Sequence, residues 1–405
     1  MKAGWEIKRL GEVCEIKPAK AEARKKILSN AFVSFVPMED LGINQKFFNT
    51  TQERLFSSVV GSYTYFADGD VLLAKITPCF ENGKLGIASN LTNGIGFGSS
   101  EYIVFRPDER LNKEWLYYYL SRPNFRIEGA QLMTGAVGHK RVPKEFIENY
   151  LITLPPLPEQ QRIVTILDEA FEGIATAKAN AEKNLKNARA LFDSYLNSVF
   201  SQRGEGWVEK SKPLEDLCEL IVDCEHKTAP TQVDGVPSIR TPNVGKGKLL
   251  LNGVYRVSEK TYNEWTRRAV PRAGDLIVAR EAPAGNVAVI PENTRLCLGQ
   301  RTVLIRPKLD VFEPEFLAFF LLQPDMQKKL LAHSRGATVQ HVNMKDIRAL
   351  EIMTIPTLRE QRSILSKVKA MEAEHEQLQS IYRKKITALD ALKKSILHQA
   401  FSGEL

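Results

Sequence analysis

The chain has 405 residues, of which 43% are hydrophobic and 26% are charged, and it carries a formal net charge of +8. This composition is ordinary for globular proteins and excludes a chain that is disordered throughout. There is no apolar run of 18 residues and no leader-like N-terminus, so we expect no membrane span, no signal peptide and a cytoplasmic location.

The cysteines and the charge restrict the class of protein further. Five cysteines form no CxxC pair and are odd in number, which argues against a disulfide framework and against a zinc ribbon. We therefore expect reduced thiols. The moderate positive charge is compatible with a polyanionic partner, but it does not identify nucleic acid on its own.

The first half of the chain predicts a globule in which strands dominate. It opens at Gly4-Trp5 with a predicted strand or turn. Gly69-Asp70, followed by apolar residues up to Lys75, predicts a turn and then a strand. A second strand is expected at 102–107 and a short aromatic-rich helix at 114–120. The intervening Gly94–Gly98 lacks the strand and helix that flank a cofactor loop, so it predicts a glycine-rich turn.

A long heptad segment follows the first globule, from Leu157 to Phe200. Two interleaved rows each recur every seven positions: Ile163, Ala170, Ala177, Asn184 and Leu191, and Leu167, Ile174, Ala181, Ala188 and Tyr195. This pattern favours a coiled coil, in which a buried polar residue such as Asn184 would fix the register. The alternative is an ordinary amphipathic helix, which the narrow alanine-rich stripe disfavours.

The same elements return about 200 positions later, and the heptad rows return at an offset of 201 (364 − 163 = 201). Gly206-Trp207, Gly274–Arg280, strand 302–307 and helix 315–322 repeat the first globule. The heptad rows return as Ile364, Met371, Leu378, Lys385 and Leu392, and as Val368, His375, Tyr382, Leu389 and Ile396. Self-similarity at half the chain length indicates two copies of one unit and not a solenoid.

Two diverged globules, each followed by a long helix, resemble the specificity subunit of Type I restriction-modification systems across essentially the whole chain. The motifs that carry this resemblance are Glu159-Gln160 and Glu360-Gln361 at the helix starts and the terminal Ala400–Leu405. The resemblance implies an α+β fold with two target recognition domains, at 1–156 and 204–357. Spacer helices at 157–203 and 358–405 would pair as an antiparallel coiled coil.

The resemblance also implies partners. The chain would bind double-stranded DNA and two methyltransferase subunits, and through them the restriction and translocase subunits. Adenosylmethionine, ATP and magnesium would belong to those partners, so no cofactor is expected here. The residues expected to pair the helices or to dock partners are Glu159, Gln160, Ile163, Asn184, Glu360, Gln361, Ile364 and Lys385.

Catalytic motifs are missing from the sequence. Leu154–Leu157 lacks the amide and the aromatic residue of a DNA methyltransferase motif, and Val244–Lys248 fails the spacing of a phosphate loop. Cys224 and His226 have no second ligand pair at zinc-finger spacing, so no metal site is expected. We predict a non-catalytic chain. The alternatives are a self-contained DNA methyltransferase or nuclease, and a coiled-coil scaffold that does not bind DNA.

Residues that read DNA should combine paired hydrogen-bond donors with cations for phosphates. Such a surface is predicted by hydrogen-bond donors that lie beside turns and in two equivalent glycine loops, 135–141 and 336–341. A loop shared by both copies could instead be structural. A single lysine or arginine is more often a solvated surface charge, so the prediction concerns the clusters. The predicted residues are Lys75, Thr77, Lys84, His139, Lys140, Arg141, Arg240, Asn243, Arg280, Gln300, Arg301, Gln340 and His341.

Overall fold

The computed structural model describes residues 4–48, 52–136, 138–202, 204, 206–332 and 340–405. The chain forms two compact units, one of residues 1–180 with 385–405 and the other of residues 181–384. Each long helix therefore contributes to both units. The division into four sequence segments stays a prediction, because the compact units cut across the helices.

The first unit contains mainly short strands. They are β1 Glu6–Arg9, β2 Cys14–Ile16, β3 Phe32–Val36, β4 Glu53–Leu55, β5 Thr64–Ala67, β6 Val71–Ala74, β7 Leu85–Ile87, β8 Ile95–Gly98, β9 Tyr102–Pro107 and β10 Leu151–Leu154. The helices are α1 Leu10–Val13, α2 Ala21–Lys26, α3 Phe56–Val59, α4 Lys113–Leu120, α5 Pro123–Gln131, α6 Lys144–Asn149 and the long α7 Leu157–Ser201. The strands and the helix predicted at β6, β9 and α4 are confirmed.

Two four-stranded sheets form the first globule, with the strand orders β2-β9-β6-β7 and β4-β3-β8-β5. The first sheet is antiparallel, whereas β3 and β8 run parallel in the second. The prediction of a glycine-rich turn at Gly94–Gly98 is wrong, because most of this segment is strand β8. A Cβ at Gly96 would lie 2.1 Å from the Phe66 ring, so glycine is needed for close packing in the sheet.

The second unit repeats this plan with a smaller second sheet. Its strands are β11 Trp207–Pro213, β12 Cys218–Asp223, β13 Val236–Ile239, β14 Arg256–Val257, β15 Leu276–Ala279, β16 Val287–Val289, β17 Cys297–Leu298, β18 Thr302–Pro307 and β19 Glu351–Pro356. Its helices are α8 Glu259–Trp265, α9 Pro314–Leu322, α10 Pro324–Leu331, α11 Met344–Arg348 and the long α12 Leu358–Ser402. The order β12-β18-β15-β16 matches the first sheet of the other unit, and β14-β13-β17 is three-stranded.

The aspartate of each Gly-Asp motif forms a buried ion pair. Asp70 is 1% exposed and accepts two hydrogen bonds from Arg106, both at 2.8 Å. Asp275 is 2% exposed and accepts from Arg306 at 2.8 and 2.7 Å. Burial raises the pKa of Asp70, and the bonds from Arg106 oppose that rise. These pairs join β6 to β9 and β15 to β18, so the motif supports the sheet as well as the turn.

The start of each long helix is anchored to its own globule by a buried glutamine. The Gln160 side chain accepts from the Asn112 amide at 2.8 Å and donates to the carbonyls of Arg110 and Pro155. Gln361 makes the equivalent bonds with Glu313, Val311 and Pro356. Both glutamines are 0% exposed. The prediction that these two residues pair helices or dock partners is therefore wrong.

The two long helices pack antiparallel within each unit, as predicted. In the first unit, Leu167 of α7 shares a core with Leu397 of α12, and Lys178 forms an ion pair with Asp390 at 2.7 Å. In the second unit, His375 donates to the Ala188 carbonyl at 3.1 Å and stacks on Phe192. The fold class is confirmed: two mixed α/β globules with paired long helices.

The register prediction for the helices is wrong at its polar residues. Asn184 and Lys385 are exposed. Of the two α7 rows, the buried one contains Leu167, Ile174, Ala181 and Ala188. The row of Asn184 begins buried at Ile163 and reaches 60% exposure at Leu191. A strict seven-residue row drifts by about 20° per repeat on a straight α-helix, which turns this row away from the helix contact.

Candidate nucleic-acid interface

In the first unit, several predicted residues meet at the end of β6. The Val142 amide donates to the Lys75 carbonyl at 3.0 Å, and the Thr77 amide donates to the Lys140 carbonyl at 2.9 Å. These bonds hold the segment after loop 135–141 beside the strand end. Lys75, Thr77, Lys140 and Arg141 therefore belong to one surface.

Side chains at this surface are organised around a carboxylate. Arg141 donates two hydrogen bonds to Glu101, at 2.9 and 2.7 Å, and half of its side chain remains exposed. The hydrogen bond from Arg141 lowers the pKa of Glu101. Lys75 donates to the Ser100 carbonyl at 3.0 Å, and Thr77 donates to Glu81 at 2.9 Å. The result is an ordered surface that still presents N–H donors.

The second unit places its predicted residues in an equivalent cluster. The Val342 amide donates to the Arg280 carbonyl at 2.9 Å, which repeats the bond between Val142 and Lys75. Arg280 donates to the Val342 carbonyl at 2.9 Å, and its Nη2 lies 2.8 Å from His341 Nε2. Glu281 contacts both His341, at 2.8 Å, and Arg301, at 2.9 Å. Arg301 and His341 thus share the Glu281 carboxylate, and Arg280 joins this cluster through His341.

Other predicted residues lie in different surroundings. Lys84 donates to the Met38 carbonyl at 2.6 Å and so ties down a loop. The Asn243 side chain bonds the Arg240 amide and the Leu250 carbonyl, and is therefore engaged in folding its own turn. Gln300 donates to the His226 carbonyl at 3.3 Å.

The remaining predicted DNA-binding residues, His139, Arg240 and Gln340, are exposed. The Arg240 guanidinium lies 5.4 Å from the Tyr255 ring. Val137 and Gly336–Val339, from the two glycine loops, lie outside the described residues.

Sequence reasoning missed the acidic members of both clusters. Glu101 and Glu281 orient the cations beside them, yet neither stands in a recognisable motif. The signal that was available is the recurrence, in both halves, of Gly-Asp followed by a later Arg-Pro strand end. That signal identifies the sheet that positions each cluster. It does not identify the glutamates, which lie at different places in the two units.

Metal and membrane sites were sought in the part of the chain that the structure describes. Among those residues, no group of three or more histidine, cysteine, aspartate or glutamate side chains could hold a metal ion. No helix in the same ranges combines the length and the apolar character needed to cross a bilayer.

Both halves of the sequence match one family. Residues 2–187 and residues 205–383 each match the Type I restriction modification DNA specificity domain. The chain belongs to this family. The two matches correspond to the two repeats found in the sequence, and each specificity domain includes one of the clusters described above.

Curated relatives are specificity subunits. The chain is 41% identical over 233 residues to the EcoAI specificity subunit of Escherichia coli, which covers 56% of this chain and 39% of that relative. It is 41% identical over 162 residues to the EcoEI specificity subunit of Escherichia coli, covering 40% and 27%. The matches thus span less than half of these two relatives. The MjaVIII specificity subunit of Methanocaldococcus jannaschii is 22% identical and covers 99% of this chain and 93% of its own.

Solved structures share the fold of these specificity domains. A chain from a structural study of complex assembly and conformational transition in the type I R-M system aligns with a TM-score of 0.79 at 22% identity. It covers 100% of this chain and 99% of its own. An HsdS subunit from Thermoanaerobacter tengcongensis aligns with a TM-score of 0.61 at 22% identity, covering 100% and 98%.

Proposed function

We propose that this chain is the non-catalytic DNA-recognition subunit of a Type I restriction-modification complex, and that each specificity domain reads one half of a bipartite target. The observation that carries the proposal is the pair of equivalent clusters, Lys75 with Arg141 and Arg280 with His341, one in each matched domain. Arginine and lysine at an ordered strand end suit bidentate contacts with bases or contacts with phosphates.

We further propose that the long helices dock two methyltransferase subunits, which would carry the restriction and translocase subunits. Large apolar side chains remain exposed along these helices, and a docked partner would bury them. Leu191 is 60% exposed, Ile381 49% and Leu392 47%. The half-exposed Glu159 and Glu360 at the helix starts remain predicted docking residues.

Methylation mapping tests the proposed function. Host DNA would be mapped in cells that hold the methyltransferase subunits, with and without this chain. The proposal expects a split methylated motif with a fixed gap that appears only with the chain. A chain that acts as a scaffold without touching DNA would leave the motif unchanged.

A second experiment addresses the proposed absence of catalysis. The purified chain, incubated with duplex DNA and adenosylmethionine, should transfer no methyl group. In the proposed cytoplasmic complex, the methyltransferase subunits bind adenosylmethionine and catalyse the transfer. Methyl transfer by the purified chain would favour a self-contained enzyme.

A further inference from the structure

A cleft of about 630 Å³ lies inside the first unit, beneath its globule. Its walls are the end of α4, the middle of α7 and the last turns of α12, all within the compact unit of residues 1–180 and 385–405. The cleft is separate from the cluster at the end of β6, because it contains none of the residues predicted to contact DNA.

Positive charge exceeds negative charge in this cleft. Two of its lysines are neutralised: Lys46 pairs with Asp168 at 2.6 Å, and Lys178 pairs with Asp390 at 2.7 Å. Glu172 is the remaining carboxylate. Five cations and three carboxylates line the cleft, which leaves an excess of two positive charges. The cations are Lys46, Arg126, Lys178, Lys393 and Lys394.

Lys393 is the most unusual of these cations. It is half-buried, and its ammonium lies 5.0 Å from the centre of the Phe171 ring. Neither Lys393 nor Arg126 forms a hydrogen bond or an ion pair with a described side chain. Burial, together with the nearby Lys178 and Arg126, lowers the pKa of Lys393. The carboxylate near Lys393 is Asp390, which already pairs with Lys178, so a half-buried ammonium here is incompletely neutralised and a bound anion would offset the cost of its burial.

The second unit provides an internal comparison. It has a cleft of about 930 Å³ at the equivalent place, between its own globule and the parts of both helices that belong to that unit. Phe192 stands where the first unit has Lys393, and Glu372 stands where it has Phe171. The second cleft has the same excess of two positive charges, from Arg189, Lys246, Lys248, Arg383 and Lys384 against Asp193, Glu372 and Glu376. What is particular to the first unit is a half-buried lysine beside a phenylalanine ring.

We propose that the cleft of the first unit binds a phosphate group between Lys393 and Arg126. A phosphate group carries a charge of about −1.5 to −2 at pH 7, which matches the excess charge of the cleft. The planar guanidinium of Arg126 can donate two parallel hydrogen bonds to phosphate oxygens. The phosphate belongs either to a free phosphate monoester, which carries this charge, or to a DNA backbone that reaches the mouth of the cleft, where each phosphodiester carries one negative charge.

Calorimetric titration of the full chain with potassium phosphate tests this site, with potassium chloride at the same ionic strength as the blank. Saturable binding of phosphate is expected. Lys393→Met and Arg126→Gln should each weaken it about tenfold or more, because each removes a charge-assisted hydrogen bond. Lys183→Met, which removes an exposed lysine of α7 outside the cleft, should bind phosphate as the parent chain does.

Thermal denaturation separates lost binding from lost folding. Without phosphate, Lys393→Met should melt no lower than the parent chain, since it replaces an unpaired half-buried charge with an apolar side chain. With phosphate, the parent chain and Lys183→Met should gain stability, and Lys393→Met should gain little. Equal affinity in parent and Lys393→Met, or an absence of saturable binding, would overturn the proposal.

Competition with duplex DNA identifies the source of the phosphate. If saturating duplex abolishes the phosphate isotherm, the site accepts backbone phosphate; if the isotherm persists, the site serves a free phosphate ester. Either result supports the phosphate site. The measurement requires no sequence recognition, so its outcome is independent of the function proposed above.

Discussion

Asp275 shows how a single buried charge stabilises the sheet whose strand β15 leads into Arg280. Asp275 and Arg306 are nearly buried, with side chains 3% and 13% exposed, and hydrogen bonding to Asp275 raises the pKa of Arg306. Asp275→Asn would leave the guanidinium without its counter-ion. We expect a loss of about 3–5 kcal/mol in the free energy of unfolding, measured by urea denaturation.

The control for this prediction is an exposed pair in the same unit. Asp325 lies 3.7 Å from Lys328, and both side chains are more than half exposed. Asp325→Asn should cost less than about 1 kcal/mol, because solvent screens such pairs. If the two variants were equally stable, the Gly-Asp motif would be no more than a turn signal.

Buried thiols predict how stability depends on pH. Burial raises the pKa of Cys14 and of Cys218 from 9.0 to about 12. Below pH 9 the thiols are protonated in both the folded and the unfolded chain, and their contribution to stability is fully present. Between pH 9 and 12 the thiols ionise in the unfolded chain first, so this contribution to the free energy of unfolding is lost as the pH rises. The melting temperature should therefore fall over that range.

The matched variant for the thiol prediction is Cys14→Ala with Cys218→Ala. Its melting temperature should fall less steeply between pH 9 and 12, although buried tyrosines such as Tyr117, whose pKa is raised by burial to about 12, still contribute. Identical slopes for parent and variant would show that the thiols are not shielded as described.

Base and phosphate contacts can be tested at the strand ends. Lys75→Ala and Arg280→Ala should each weaken the binding of duplex DNA that contains the site found by methylation mapping. The expected loss of binding free energy is about 1–3 kcal/mol where the side chain contacts a base edge. A contact to phosphate should instead lower the salt dependence of binding by about one counter-ion. Fluorescence anisotropy with labelled duplex measures both effects.

The control for the contact variants is Arg359→Ala, which removes an exposed arginine at the start of α12. It should leave affinity and salt dependence unchanged in the isolated chain. Unchanged affinity in both Lys75→Ala and Arg280→Ala would remove the two clusters from the DNA interface.

The sequence predicted features that the repeat carries, and it did not predict contacts that form only when separate elements pack together. The repeat identified loops 135–141 and 336–341 as equivalent, but it did not predict that each loop is followed by a segment bound to the end of β6 or β15. The role of Gln160 was not predicted, because two of its three partners, Asn112 and Arg110, lie in a loop well before it in the chain and meet it only when the helix packs on the globule. Glu101 and Glu281 were missed for the same reason.

At the scale of elements, the long helices were predicted almost to the residue. Each helix has 45 residues, close to the heptad segment seen in the sequence. The sequence did not predict which residues of each heptad row contact the other helix. A seven-residue period defines a stripe along the helix, but it does not say which part of that stripe is buried in the contact. Exposed Asn184 and Lys385 are the consequence.

The exposure of Asn184 and Lys385 makes them suitable places for insertions. Four residues added near both positions should preserve the helix pairing on either side, because both helices grow by about one turn, or roughly 6 Å. If the helices set the gap between two half-sites, methylation mapping should show the same half-sites with a gap one or two base pairs longer.

A single insertion near Asn184 is the control for the helix prediction. It shifts α7 against α12, so contacts such as Lys178 with Asp390 and Ala188 with His375 cannot both be kept. We expect that variant to be less stable than the double insertion. A double insertion that is fully active with an unchanged gap would leave the helices as a docking surface only.

At the scale of the whole molecule, duplication was the property that the sequence predicted best. The antiparallel sheet occurs in both units, with Val71–Ala74 as an inner strand in the first and Leu276–Ala279 in the second. It recurs because both halves share the Gly-Asp turn and the Arg-Pro strand end. The second sheet was not predicted. It has four strands in one unit and three in the other, and the segments that form it have diverged beyond recognition as repeats.

The proposal that each domain reads its own half-site is tested most directly by exchanging one domain. Residues 1–156 would be replaced by the corresponding segment of a relative with a different target, and host DNA would be mapped for methylation in cells that hold the methyltransferase subunits. We predict that one half of the split motif changes while the other half and the gap stay the same. A change in both halves, or a methylated motif that is not split, would contradict two independent reading domains.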